Sequence, residues 1–210
     1  TFGVLCGKEV VFIARHGYGH TIPPHKINYR ANMWALKHVG VERVIAIAAV
    51  GGIHPDLPPM KLVIPDQIID YTWSRKNTYF EEGLEEVVHV DFTNPYDEGL
   101  RQILIKACQG ANIDYCDYGT YGATQGPRLE TAAEINRMEK DGCTLVGMTG
   151  MPEAVLAREL DLSYATCAVV ANWAAGRGDG SEITMEEIQR HLNVGMDKVR
   201  LLLENIVPQI

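Results

Sequence analysis

The feature that most constrains this chain is an alternation. Short apolar, β-branched runs are separated by longer segments that carry apolar residues at helical spacing. The runs are "EVVFIA" (9–14), "RVIAIAAV" (43–50), "KLVIPDQII" (61–69), "CTLVGM" (143–148) and "YATCAVV" (164–170). Each has the length and residue types of a buried strand. The helical pattern falls in "NYRANMWALKHV", "NPYDEGLRQILIKACQ", "LETAAEINRMEKDG", "MPEAVLAREL" and "ITMEEIQRHLNVGMDKVRLLLENIV". Alternation of this kind predicts an α/β fold: one domain with a twisted, mixed or mainly parallel sheet flanked by helices. No repeat, linker or low-complexity stretch divides residues 1–210.

Composition narrows the function classes. With 46% hydrophobic and 22% charged residues, the 210-residue chain is an ordinary globular sequence. Its formal charge of −8 opposes general affinity for nucleic acid or an anionic membrane surface, so any anion site must be local. The five cysteines are odd in number and show no CxxC spacing. They signal neither a disulfide framework nor a metal site, and a reducing, cytoplasmic location is expected. No stretch approaches the roughly 20 apolar residues of a membrane span, and the opening residues lack the pattern of a signal peptide.

In open α/β sheets ligands collect where strands end, so the residues just after each strand are the informative ones. Arg15 and His16 follow the first run, and together they form a compact donor set for an oxyanion. A surface Arg with a capping His explains them equally well. Ala49, Gly51 and Gly52 close the second run, where small residues let backbone amides approach an anion or simply make a turn. Thr149 precedes a helix expected to start at Pro152, so it either adds a hydroxyl to an anion-binding helix N-terminus or caps the turn. Asn172 ends the last run, and Glu130 sits in "TQGPRLETAAE". Taken singly, the amide reads as a loop-satisfying side chain and the carboxylate as an exposed first-turn residue.

Four segments in this order, "ARHGYGHTIPPHKINYRANMWALK", "AVGGI", "TQGPRLETAAE" and "GMTGMPEAVLARELDLSYA", resemble the motifs of the trimeric purine nucleoside phosphorylase and 5'-methylthioadenosine phosphorylase family. The small residues around Asn172 resemble most closely the bacterial branch acting on S-methyl-5'-thioinosine. The resemblance implies a homotrimer in which inorganic phosphate attacks the anomeric carbon of a purine nucleoside, without metal or organic cofactor. It places phosphate against Arg15, His16, the Ala49 backbone and Thr149. The family also has a first strand and a "GGTG"-like phosphate loop, which residues 1–210 do not contain, and a longer C-terminal tail. The sequence opens without a Met, as though upstream residues were missing.

The same resemblance assigns the substrate contacts. One amide both donates and accepts, so Asn172 can donate to O6 and accept from N7–H of a 6-oxopurine, while the Glu130 carboxylate accepts from N1–H. Adenine-specific members have Asp at the positions of Asn172 and Ala174. Leu129 and Val146 are expected to sandwich the base and Met148 to lie under the ribose. Met185 and Ile188, near one helical turn apart, would line an apolar 5'-methylthio pocket or be ordinary helix core. His89 is expected to reach a neighbouring subunit's site. The expected reaction is phosphorolysis of S-methyl-5'-thioinosine, with 5'-methylthioadenosine and 6-oxopurine nucleosides such as inosine or guanosine as alternative substrates. A catalytically silent purine-binding oligomeric module and a Cys-His thiol enzyme are the readings from other classes.

Overall fold

The two longest apolar runs pair with each other. In the computed structural model, which describes residues 1–210, Arg43–Gly52 forms β3 and Ser163–Trp173 forms β9. They run parallel from Arg43 opposite Ser163 to Gly52 opposite Trp173, with a bulge between Val50 and Gly51. Alternate residues of the pair face opposite layers, as a pleat requires. Ala46, Ala48, Val50, Ala168 and Val170 pack with α1 (Tyr29–His38) and α4 (Gly150–Glu159) through Met33, Leu36, Ala154 and Ala157. Ala165, Cys167 and Val169 pack with α2 (Glu98–Gly110) and α5 (Met185–Ile206) through Leu100, Leu104, Val199 and Leu202. A Cβ on Gly195 of α5 would lie 2.2 Å from the Val169 side chain, so glycine there lets the helix press onto the strand.

Around this pair the sheet is mixed, as the alternation predicts, and has seven strands in the order β5-β7-β8-β3-β9-β4-β6. The expected single strand at 61–69 is two: β4 (Leu62–Val63) and β5 (Gln67–Asp70). The break falls at Pro65, which has no N–H to give a ladder. Residues 115–123 break in step, into β6 (Tyr115–Cys116) and β7 (Thr120–Ala123), and stay parallel to 62–70 across the gap. No apolar run marked these two strands, which are rich in Tyr and Gly. β4 is bonded to β9, β7 to β8 (Leu145–Gly147), and β8 to β3. The ladders therefore trace a ring, and the sheet curls back on itself.

Arg101 stitches the ring where both segments break. This α2 side chain is buried and donates to the carbonyls of Pro65 at 2.9 Å, Ile64 at 3.2 Å, and Asp117, while pairing with Glu98.

Other boundaries moved for local reasons. β1 (Phe2–Leu5) and β2 (Lys8–Val11) form a separate hairpin, and β2 stops before the expected residue 14 because its only partner is four residues long. α2 starts at Glu98, where Asp97 accepts from the Leu100 amide at 2.6 Å. α3 (Ala132–Lys140) opens on a capping box between Thr131 and Glu134. Gly51 and Gly52 are strand residues rather than a turn; a Cβ on Gly52 would lie 2.1 Å from the Leu57 carbonyl oxygen.

Replacing Arg101 by Met, of similar length but without donors, orphans the buried carbonyls of Ile64 and Pro65 and removes the partner of the more accessible Asp117 carbonyl. It is expected to lower unfolding stability by about 3 kcal/mol or more, read as a drop in the urea midpoint. Arg101→Lys should recover only part of the loss.

Candidate active site

A cavity of about 820 Å³ opens where β3, β8 and β9 end, and α5 supplies its far wall. It gathers Arg15, His16, Ala49, Leu129, Glu130, Val146, Met148, Thr149, Asn172, Ala174 and Ile188, which come from six separate segments of the sequence. Two expected residues lie outside it. Met185, at the first position of α5, is 71% exposed, and Ile183 lines the cavity together with Ile188. His89 is exposed on the segment between β5 and α2.

Arg15 is fixed from two sides. Its Nη2 donates to the Ile47 carbonyl at 3.1 Å, and its Nη1 pairs with Glu153 Oε1 at 3.1 Å. Burial works against its charge, but Glu153 and the surrounding Tyr164, Tyr121 and Tyr29 more than offset this, so the guanidinium stays charged. Burial likewise pushes the Glu153 carboxyl upward, against the pull of Arg15 and of the Tyr164 hydroxyl. His16 Nδ1 lies 2.9 Å from the Ile22 carbonyl, which can only accept, so Nδ1 carries the hydrogen. Burial holds the His16 pKa below its usual value. The neutral ring then offers Nε2 as an acceptor, whereas the sequence pattern suggested a donor.

Thr149 precedes α4 without capping it: its hydroxyl accepts no bond from the helix, and its amide donates to Tyr121 Oη at 3.4 Å. The expected start at Pro152 is displaced, since Met151 and Pro152 have non-helical angles and the regular helix continues from Glu153. Thr124 Oγ1 donates to Glu130 Oε1 at 2.7 Å, which leaves Oε2 for a ligand. Asn172 Nδ2 donates to the Trp173 carbonyl at 2.6 Å. That bond uses one of two amide hydrogens, and the second hydrogen and Oδ1 keep their capacity.

Two residues that hold the site carried no sequence signal. Glu153 falls in the first turn of a helix, where an acid is unremarkable. Arg75 lies in the patternless "DYTWSRKNTYF". Its Nη1 donates to Met148 O at 2.8 Å, Met151 O at 2.5 Å and Tyr29 Oη at 3.2 Å. Its Nη2 donates to Thr124 O at 3.1 Å and Gln125 O at 2.8 Å, and its Nε to Gln125 Oε1 at 3.1 Å. One cation thus ties the loops after β7 and β8 together. Gln189 also lines the cavity and was not foreseen.

The profile of the family described as Phosphorylase superfamily matches residues 1–208. A protein of Xylella fastidiosa (strain Temecula1) named probable S-methyl-5'-thioinosine phosphorylase is 59% identical over 89% of this chain and 75% of its own length. One of the same name from Pseudomonas syringae is 52% identical over 98% of this chain and 83% of its own. A 6-oxopurine nucleoside phosphorylase of Pyrococcus furiosus is 49% identical over 100% of this chain and 81% of its own. Among solved structures, methylthioadenosine phosphorylase from Schistosoma mansoni in complex with adenine superposes with a TM-score of 0.94. It shares 31% identity, over 99% of this chain and 78% of that one. The chain belongs to the phosphorylase superfamily.

Arg75→Met should loosen both loops it ties. Faster amide hydrogen exchange confined to residues 124–126 and 148–151 is the expected result, with a loss of roughly 3 kcal/mol in stability from the orphaned carbonyls.

Proposed function

We propose that this protein is a purine nucleoside phosphorylase that cleaves S-methyl-5'-thioinosine to hypoxanthine and 5-methylthioribose 1-phosphate, a step of purine salvage. The observation that carries the reading is a single cavity holding an oxyanion-type cluster, Arg15, His16 and Thr149, together with an amide and a carboxylate, Asn172 and Glu130. Phosphate held by the first set attacks C1' of the nucleoside. The C1'–N9 bond breaks with its electron pair passing into the purine, which leaves more readily as N7 takes a proton from solvent, balanced by the P–OH proton that monohydrogen phosphate gives up as the ester forms. The neutral His16 ring suits monohydrogen phosphate, whose P–OH donates to Nε2. The second Asn172 amide hydrogen reaches O6 while Oδ1 accepts from N7–H, and Glu130 Oε2 accepts from N1–H. Phosphate is the co-substrate, and the mechanism calls on no other cofactor.

Ile183 and Ile188 support a methylthio group at the 5' end. Gln189 beside them supplies a hydrogen-bonding side chain, which favours 5'-hydroxyl nucleosides such as inosine as the second substrate class; the name of the Pyrococcus furiosus relative agrees. Methylthioadenosine is disfavoured, because Glu130 would face the lone pair of adenine N1 and no carboxylate stands at Asn172 or Ala174. We place the enzyme in the cytoplasm as a homotrimer, with His89 contributing to a neighbour's site. The exposed Val87, Val88 and Val90 around His89 support burial of that segment in an assembly.

Incubation with phosphate and each of methylthioinosine, methylthioadenosine, inosine and adenosine should release free base fastest from methylthioinosine. The triple variant Asn172→Asp, Ala174→Asp, Glu130→Ser should turn preference toward methylthioadenosine, by about tenfold to a hundredfold per exchanged hydrogen bond. Equal loss on both substrates would return Asn172 to a structural role.

Sedimentation should give a trimer across the working concentration range. An active monomer would remove His89 from catalysis.

A further inference from the structure

Arg15 lies 138 positions before Glu153 in the sequence, yet the two meet at 3.1 Å in the wall behind the cavity. Glu153 is 2% exposed and does not line the cavity, so it cannot itself touch phosphate. Its Oε1 also accepts from Tyr164 Oη at 3.0 Å. Tyr164 is buried and stacked on Tyr96, with ring centroids 6.2 Å apart. A carboxylate fixed by α4 and a phenol fixed by β9 therefore hold one side of the guanidinium, and the Ile47 carbonyl of β3 holds another. An Arg side chain has many rotamers, and these anchors select one in which the guanidinium, with N–H groups left over, forms part of the cavity wall.

We propose that Glu153, braced by Tyr164, is a positioning residue for phosphorolysis, setting the orientation in which Arg15 presents its free N–H groups to phosphate. The inference rests on the reading of Arg15 as a phosphate ligand. It predicts an effect on the phosphate half of the reaction and none on the nucleoside half, because the base contacts Asn172 and Glu130 come from other elements. A carboxylate needed only for folding would disturb both halves.

The test is steady-state kinetics of the full chain with phosphate and nucleoside varied separately. Glu153→Gln keeps the shape and the acceptor for Tyr164 but loses the charge. It should lower kcat/KM for phosphate by about tenfold or more, since small misplacements of an orienting group are costly, with the nucleoside KM changed by less than about twofold. In an Arg15→Ala background the same substitution should add no further loss, because it acts through Arg15. Should Glu153→Gln not fold, Tyr164→Phe, which keeps the stacked ring and removes the brace, should give a smaller loss of the same kind, about threefold.

Three outcomes overturn the proposal: an unchanged phosphate kcat/KM in the foldable variant, losses that multiply with Arg15→Ala, or tighter phosphate binding. The last would mean that the carboxylate only tempers the Arg15 charge. Arg15→Ala by itself tests the underlying reading, since unchanged phosphate dependence there removes Arg15 from the phosphate site whatever Glu153 does.

Discussion

The parallel ladder between β3 and β9 fixes three things at once. Its pleat sends alternate residues into two apolar layers, which gives α1 and α4 one seat and α2 and α5 the other. Its small residues let those helices approach closely. Its ends deliver Gly51 and Asn172 to the same edge, where β8 delivers Met148 and Thr149. The cavity is a consequence of that shared edge, and the strand register sets which side chains meet there.

The second recurring device is a buried or half-buried guanidinium answered by main-chain carbonyls. Arg101 meets three at the breaks in the sheet, and Arg75 meets four around the cavity. Loops and strand breaks leave carbonyls without ladder partners, and burying them unpaired is costly. A planar fork with five donors answers several at once in a way that a Lys ammonium does not reproduce. Arg15 differs in that its carboxylate partner, Glu153, is itself buried, whereas Glu98 beside Arg101 is exposed, and in keeping an open side toward the cavity.

Strands with dense β-branched runs and helices with strong periodicity were legible in the sequence, because their patterns follow from burial on one face or two. The segments 62–70 and 115–123 were not fully legible, since Pro65 interrupts one and the other is built from Tyr and Gly that pack by shape rather than by hydropathy. Most of the expected site residues do line the cavity, because they sit directly after strands and inside recognisable motifs. Met185, assigned from the resemblance, lies outside the cavity at the first position of α5, because neither a motif nor helical spacing to Ile188 says where the helix starts relative to the cavity. Glu153 and Arg75 act by contacts with chain 138 and 46 to 76 positions away, and no local pattern encodes such a meeting.

The ring traced by the sheet also bears on how the molecule behaves among its own copies. An open sheet of this width ends in two strands whose unpaired N–H and C=O groups can template further pairing. Here the two segments that would form those ends, 62–70 and 115–123, are bonded to each other along their length and to opposite sides of the remaining strands. The edges that stay free are the side of β3 away from β9 over Arg43–Val50, since β8 meets β3 only at Gly51 and Gly52, and one side each of the short β5 and β6. Loosening the stitch at Arg101 would open another such edge, so damage there would show as aggregation as well as lost stability.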